Sequence, residues 1–154
     1  MSHTTTCEDV PFTSEAVLRQ AVDSLKKQGV ECELEENAVP RMYYPDQFMD
    51  KYGTPADLVL KLKDCPYDIG FIKKDGKFIP VFDDFCGYVS SVLGNKLYDG
   101  FDSKVKSDHF RALTVEYNYA LQMKVIKDRG YTLEGAPVRK SNGEIKILCH
   151  APKR

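Results

Sequence analysis

The chain has no tryptophan, only three histidines and five cysteines in 154 residues. Each scarcity closes a route to function. His3, His109 and His150 stand in no HxH or HxxxH spacing, so they form no recognisable metal motif. Cys7, Cys32, Cys65, Cys86 and Cys149 are odd in number and contain no CxxC pair, which argues against a zinc ribbon or a thioredoxin-type site. They read as reduced, small, half-buried apolar residues. No apolar run approaches the length that crosses a bilayer. The opening MSHTTTCEDV has neither a basic leader nor an apolar h-region. The expectation is a chain that stays where it is made, in the cytoplasm or an equivalent reducing compartment such as a host-cell cytosol or plastid stroma. Catalytic signatures are missing too: there is no P-loop, GxGxxG, GxSxG or HExxH. DGFDSK at 99–104 lacks the calcium-loop spacing. A formal net charge of −1 gives no broad attraction to nucleic acid or anionic lipid, although it can hide a local basic patch.

What is present suits a folded domain. Apolar residues make up 42% and charged residues 29%, and nine tyrosines and eight phenylalanines supply bulk for a core. The length fits one domain over 1–154, with longer irregular loops at about 43–55 and 88–107. Residues 2–10 read as a short strand ended by Pro11. Ser14 is a good N-cap, and Val17, Leu18, Ala21, Val22 and Leu25 recur at helical spacing before Gly29, which predicts a helix over 14–28. ECELEE at 31–36 reads as a half-exposed strand, and a further strand is expected near 39–44. ADLVLKLKD at 56–64 alternates well and is a strand. A long helix is expected over 108–129, capped by Asp108 and closed by Gly130. Strands over 131–139 and 144–149 flank Asn142-Gly143, a type I′ signature. The fold class is α+β: a mainly antiparallel sheet with two principal helices on one face. A helix, a glycine and two strands occur twice, so a duplicated βαββ unit and the ordinary grammar of an α+β domain both fit.

The stretch CPYDIGFIKKDGKF at 65–78 carries the most specific signal. Asp75-Gly76 between apolar runs predicts a two-residue hairpin with positive φ at both positions. The register follows: Lys74 opposite Lys77, Ile72 opposite Ile79, Gly70 opposite Val81 and Asp68 opposite Asp83. One face then carries Tyr67, Ile69, Phe71, Phe78 and Phe82, which suit a core. Pro80 lacks an N–H, so its strand is expected at an edge or bulged, and a bulge would shift the register. Two opposed carboxylates repel by a few tenths to about 1 kcal/mol. A metal, lysine or arginine between them would relieve the pair. So would a proton held by one of them, or exposure of both to water at a splayed hairpin end.

The order of motifs resembles one family. The chain has MSH, then PADLVLKL, YDIGF, an Asp-Gly turn and a strand ending at Asp83. A helix with Tyr117-Asn118-Tyr119, a helix-ending Gly130 and a closing NGEIKIL follow. This order is similar to the family first named as a hypothetical chloroplast reading frame, number thirty-five. It is a domain of unknown function found in algal plastids, cyanobacteria, other bacteria and some bacteriophages. The resemblance implies an α+β domain and sets Asp68, Gly70 and Asp83 at matching positions, without supplying an activity. In bacteria such genes often lie near AAA+ ATPases, which implies an adaptor role with an AAA+ ATPase as partner. Residues 43–55 and 88–107 are longer than usual in the family, and the tryptophan that follows the position of Asp83 is missing, as in a divergent, phage-like member.

Two functional expectations result. The first is a non-enzymatic binding or adaptor protein that acts through protein contacts, with Tyr43, Tyr44, Phe48 and Tyr52 as the partner surface and no cofactor. The alternative is a small-molecule or divalent-cation site, enzymatic or not, at Asp68 and Asp83 with Tyr67, Gly70, Tyr119 and His3 nearby. A third reading, single-stranded nucleic-acid binding by tyrosines, needs a basic groove beside them. Neither a membrane nor a nucleic-acid partner is the primary expectation.

Overall fold

The computed structural model describes residues 5–6, 12–42, 55–83, 87–94, 99, 102 and 104–152. Five strands form one antiparallel sheet: β1 (Thr5–Thr6), β2 (Cys32–Ala38), β3 (Ala56–Leu62), β4 (Ile69–Lys74) and β5 (Lys77–Phe82), in the order β1-β5-β4-β3-β2. Helix α1 (Glu15–Lys27) lies between β1 and β2 in the chain. A short helix α2 (Tyr88–Leu93) and a 3-10 turn (Lys106–Phe110) lead into the long helix α3 (Arg111–Asp128).

The β4–β5 hairpin has the expected register, with Gly70 opposite Val81, Ile72 opposite Ile79 and Lys74 opposite Lys77. Asp75 and Gly76 both adopt positive φ, at 53° and 77°, as a type I′ turn needs. Pro80 introduces no shift because it sits on the outer side of β5. The neighbouring Phe78 N–H points outward to the Phe12 carbonyl at 2.7 Å, and β1 covers only Val81 and Phe82. A residue without an N–H costs no ladder bond there.

The core lies between one sheet face and the two long helices. Leu58, Leu60, Leu62, Ile69, Phe71, Phe78 and Phe82 meet Val17, Leu18, Ala21, Val22 and Leu25 of α1 and Ala112, Leu113 and Tyr117 of α3. Ser14 caps α1 as expected, accepting the Val17 N–H at 3.2 Å. Tyr117 is wholly buried, with its ring against Phe12. Its hydroxyl accepts the N–H groups of Thr13 and Ser14, so α3 holds the start of α1. Gly94, after α2, is a close-approach glycine. A Cβ there would stand 2.6 Å from the Asp108 carbonyl oxygen and 3.0 Å from that of His109, and backbone cannot swing aside. Gly94→Ala is therefore expected to cost about 1–3 kcal/mol in a melting experiment. An unchanged melting temperature would show that α2 and the 3-10 turn separate easily.

Several expectations need correction. Residues 39–42 are not a strand; β2 ends at Ala38, and the rest of the proposed 39–44 strand lies outside the described residues. Asp108 does not cap the long helix. It lies inside the preceding 3-10 turn, two residues before the N-cap position at Phe110, and its carboxylate takes Arg111 at 2.7 Å and the Asp102 N–H at 3.0 Å instead of a first-turn amide of the helix. After α3 the segments 131–139 and 144–150 pair with each other as expected, but in two short ribbons with an interruption between them. β6 (Thr132–Leu133) pairs with β9 (Cys149–His150), and β7 (Val138–Arg139) pairs with β8 (Ile145–Lys146). Asn142 keeps a negative φ while Gly143 has φ 97°, so this turn is not type I′. The Gly143 N–H bonds the Lys140 carbonyl, and Asn142 Oδ1 accepts the Glu144 N–H, which favours a longer loop with glycine at its end. Among the described residues neither ribbon joins the main sheet, so the strands after α3 do not repeat the sheet-building role of those after α1.

Candidate functional site

Asp68 stands just before β4 and Asp83 just after β5, one residue outside each strand at the same end of the hairpin. Both are wholly buried. The cation against Asp68 is Arg41, from the segment between β2 and β3. Its Nη2 lies 2.8 Å from Oδ1 and its Nε 3.0 Å from Oδ2. Main-chain bonds run both ways: Arg41 N–H donates to Oδ2 at 2.9 Å, and Asp68 N–H donates to the Arg41 carbonyl at 2.9 Å. Leu62 N–H donates to Oδ1, and Arg41 Nη2 returns to the Leu62 carbonyl at 2.7 Å. The hydrogen bond to Asp68 raises the pKa of Arg41, so the guanidinium stays charged. The result is a knot that fastens the β2–β3 connection to the ends of β3 and β4.

Gly70 belongs to the same construction. Its own Cβ would meet Pro40 Cγ at 3.1 Å and Ala56 Cβ at 3.4 Å. The proline before Arg41 therefore packs over the hairpin where a side chain is absent.

Two other residues assigned to this neighbourhood sit differently. Tyr67 is buried on the core side, with its ring 5.8 Å from that of Tyr88. Tyr119 lies on α3 beneath Arg139, whose guanidinium carbon is 5.2 Å from the ring centre. His3, Tyr43, Tyr44, Phe48 and Tyr52 lie outside the described residues. Among the described residues no group of three or more His, Cys, Asp or Glu is arranged to hold a metal ion. A divalent cation at Asp68 would compete with Arg41 for both carboxylate oxygens.

Among the described residues the Asp68 knot is one of three clamps that set an arginine on a buried carboxylate. Glu116, wholly buried on α3, receives Nη1 of Arg139 at 2.7 Å and Nη2 at 3.0 Å. Asp108 receives Nη2 of Arg111 at 2.7 Å and the Asp102 N–H at 3.0 Å, while Arg111 Nη1 reaches the carbonyls of Asp99 and Asn142. Each joins a buried carboxylate to an arginine and so ties together parts of the chain: Arg41 a connection, Arg139 the ribbon strand β7, and Arg111, at the start of α3, the loop carbonyls of Asp99 and Asn142.

Sequence reasoning passed over these arginines. Arg111, three residues after Asp108, was visible at helical spacing. Glu116 also left a signal, as a carboxylate between the core positions Leu113 and Tyr117. Arg41 lies 27 residues from Asp68 and left none.

Cys32 and Cys65 are buried, and burial pushes the Cys32 thiol above its ordinary value, which disfavours the reactive thiolate.

Val39, Tyr88 and Val105 are exposed earlier in the chain, and a further stretch of open apolar surface lies late in it. In α3 the buried residues end at Tyr117, and Leu121, Met123, Val125 and Ile126 are only partly covered. Val138 and Leu148 in the ribbon region are 57% and 53% exposed. A groove of about 350 Å³ runs between α3 and the 142–147 segment, past Val115, Tyr119, Ile145 and Ile147. A second, of about 550 Å³, lies between α1 and α3, past Gln20, Ser24, Met123, Lys124 and Lys127, and Tyr119 borders both. Among the described residues no helix is long and apolar enough to cross a membrane. Comparison of the chain with protein families, curated proteins and solved structures returns no match.

Proposed function

We propose that this protein is a non-enzymatic binding or adaptor domain that works through protein contacts. The observation that carries this reading is the half-covered surface of the last third of the chain. The core closes on α1, the sheet and the first half of α3, yet apolar side chains continue along α3 and across both ribbons. Val138 and Leu148 project where no described neighbour covers them well, and exposed apolar side chains of this kind suit the apolar core of an interface. An AAA+ ATPase is the partner suggested by the motif resemblance. The aspartate pair supports a structural role better than a ligand site, because Arg41 already neutralises Asp68.

The test is capture of the native partner after cross-linking in the native cell, comparing wild type with Val138→Ser/Leu148→Ser. The variant is expected to melt like wild type and lose the partner, since both side chains are more than half exposed. Equal capture by the two proteins would defeat the reading for this surface and turn attention to Tyr43, Tyr44, Phe48 and Tyr52.

A further inference from the structure

The near-zero net charge conceals a strong division. Residues 1–117 carry fourteen Lys or Arg against twenty Asp or Glu, a formal −6, whereas residues 118–154 carry eight against three, a formal +5. Lys153 and Arg154 lie outside the described residues; the described part, 118–152, still carries six basic against three acidic residues, and it has the half-covered apolar surface. Lys124 and Lys127 line the groove between α1 and α3 beside Met123, with Asp128 the one carboxylate among its described lining residues, and Arg139 lies over Tyr119, which borders both this groove and the one lined by Arg111 and Glu144.

The glutamates of the other end are differently placed. On and beside edge strand β2, Glu31 pairs with Lys63, Glu33 with Lys26, Glu35 with Lys61 and Glu36 with Arg19. These local pairs answer the charge of that edge within one molecule, so it is a poor electrostatic mate for the basic end of a second copy.

We infer that the α3–ribbon surface binds an acidic, aliphatic segment of a partner protein, its carboxylates on Lys124 and Lys127 and its apolar side chains against Met123, Ile145 and Ile147. This deepens the proposed function and rests on it. Charge complementarity selects the partner's sign, and the aliphatic floor selects a peptide over a nucleic acid. Binding of single strands draws on open aromatic faces for stacking, and Tyr119 already has a guanidinium over its ring.

Fluorescence anisotropy tests the inference on the full chain, using a fluorescein-labelled peptide that alternates glutamate with leucine. Controls are a lysine–leucine peptide and a labelled oligothymidylate. The acidic peptide should bind wild type, weaken as salt rises, and weaken by about tenfold in Lys124→Glu/Lys127→Glu. Lys124→Gln/Lys127→Gln should fall between the two, and melting curves verify that both variants fold. Equal binding by wild type and charge-reversed protein would overturn the inference. So would failure of the acidic peptide to bind, whether or not oligothymidylate binds in its place. If native-partner capture depends on Val138 and Leu148 while the lysine variants change nothing, the acidic partner is wrong and the protein-contact reading stands.

Discussion

Arg41→Met is expected to lower stability by roughly 3 kcal/mol, the lower end of the range for breaking a buried ion pair from one side. Asp68 is wholly buried while the Arg41 side chain is 49% exposed, so water can replace part of what the guanidinium supplies and the upper end is not reached. For a chain of this length the loss is about 6–12 °C in melting temperature. Arg41→Lys should recover only part of it, because an ammonium keeps the charge but cannot span both carboxylate oxygens and the Leu62 carbonyl at once. Asp68→Asn should also destabilise, since its amide would set N–H donors against the donors of Arg41 and Leu62. The double replacement Arg41→Met/Asp68→Leu should cost less than the two single losses added together, because no buried charge is stranded. Strict additivity would sink the clamp interpretation.

The sign of the pH dependence can be worked out on the alkaline side. The Arg41 pKa is raised in the fold by its hydrogen bond to Asp68, so its contribution is fully present below the ordinary arginine range and is lost only as pH rises through the raised value. The gap between wild type and Arg41→Met should therefore stay constant from about pH 7 to about pH 11. Melting with Mg²⁺, Ca²⁺, Mn²⁺ or EDTA should leave wild type unmoved. A metal-dependent rise that disappears in Asp68→Asn would restore the cation-site alternative.

The knot shows where sequence reading reaches and where it stops. Asp75-Gly76 determines the hairpin, because few residue pairs accept positive φ in succession, and from that turn the register could be counted back to Asp68 and Asp83. Helix α1 was equally legible, since its cap, apolar stripe and terminal glycine agree. The count could say that a cation would relieve the aspartate. It could not say which one, because Arg41 arrives from a connection whose path depends on Pro40 packing over Gly70. At the end of the chain the pairing was legible and its continuity was not. The partner of 144–149 is the expected 131–139 segment, and the alternation at 144–149 is real, with Ile145, Ile147 and Cys149 more covered than Glu144, Lys146 and Leu148, but alternation does not determine where the pairing breaks. Gly135 takes a positive φ and interrupts the outer strand between β6 and β7, so one expected hairpin becomes two ribbons.

Those ribbons depend on the second large effect. Arg139→Met is expected to cost about 3 kcal/mol and to loosen the 132–150 segment selectively, because Arg139 carries the ribbon's paired contact to a wholly buried Glu116. Two responses compete once the guanidinium is gone. If the ribbon stays down, the carboxylate of Glu116 remains among Ala112, Leu113 and Tyr117 without its counter-ion. If the ribbon lifts, water reaches Glu116 at the expense of the Arg139–Tyr119 stack and of the Arg111 contact to Asn142. The second response is the cheaper, since no ribbon residue is itself fully buried and detachment uncovers little apolar area. Hydrogen exchange should therefore show Thr132, Leu133, Cys149 and His150 losing protection in Arg139→Met while Leu58, Leu60 and Phe71 keep theirs. Trypsin should cut sooner at Lys140 and Lys146 for the same reason. Glu116→Gln should loosen the ribbon less, because a neutral amide can stay buried and still accept one bond from Arg139. A uniform loss of protection across sheet and ribbon would mean that Glu116 and Arg139 serve the core as a whole, and the ribbon would then be no separate layer on which a partner could act.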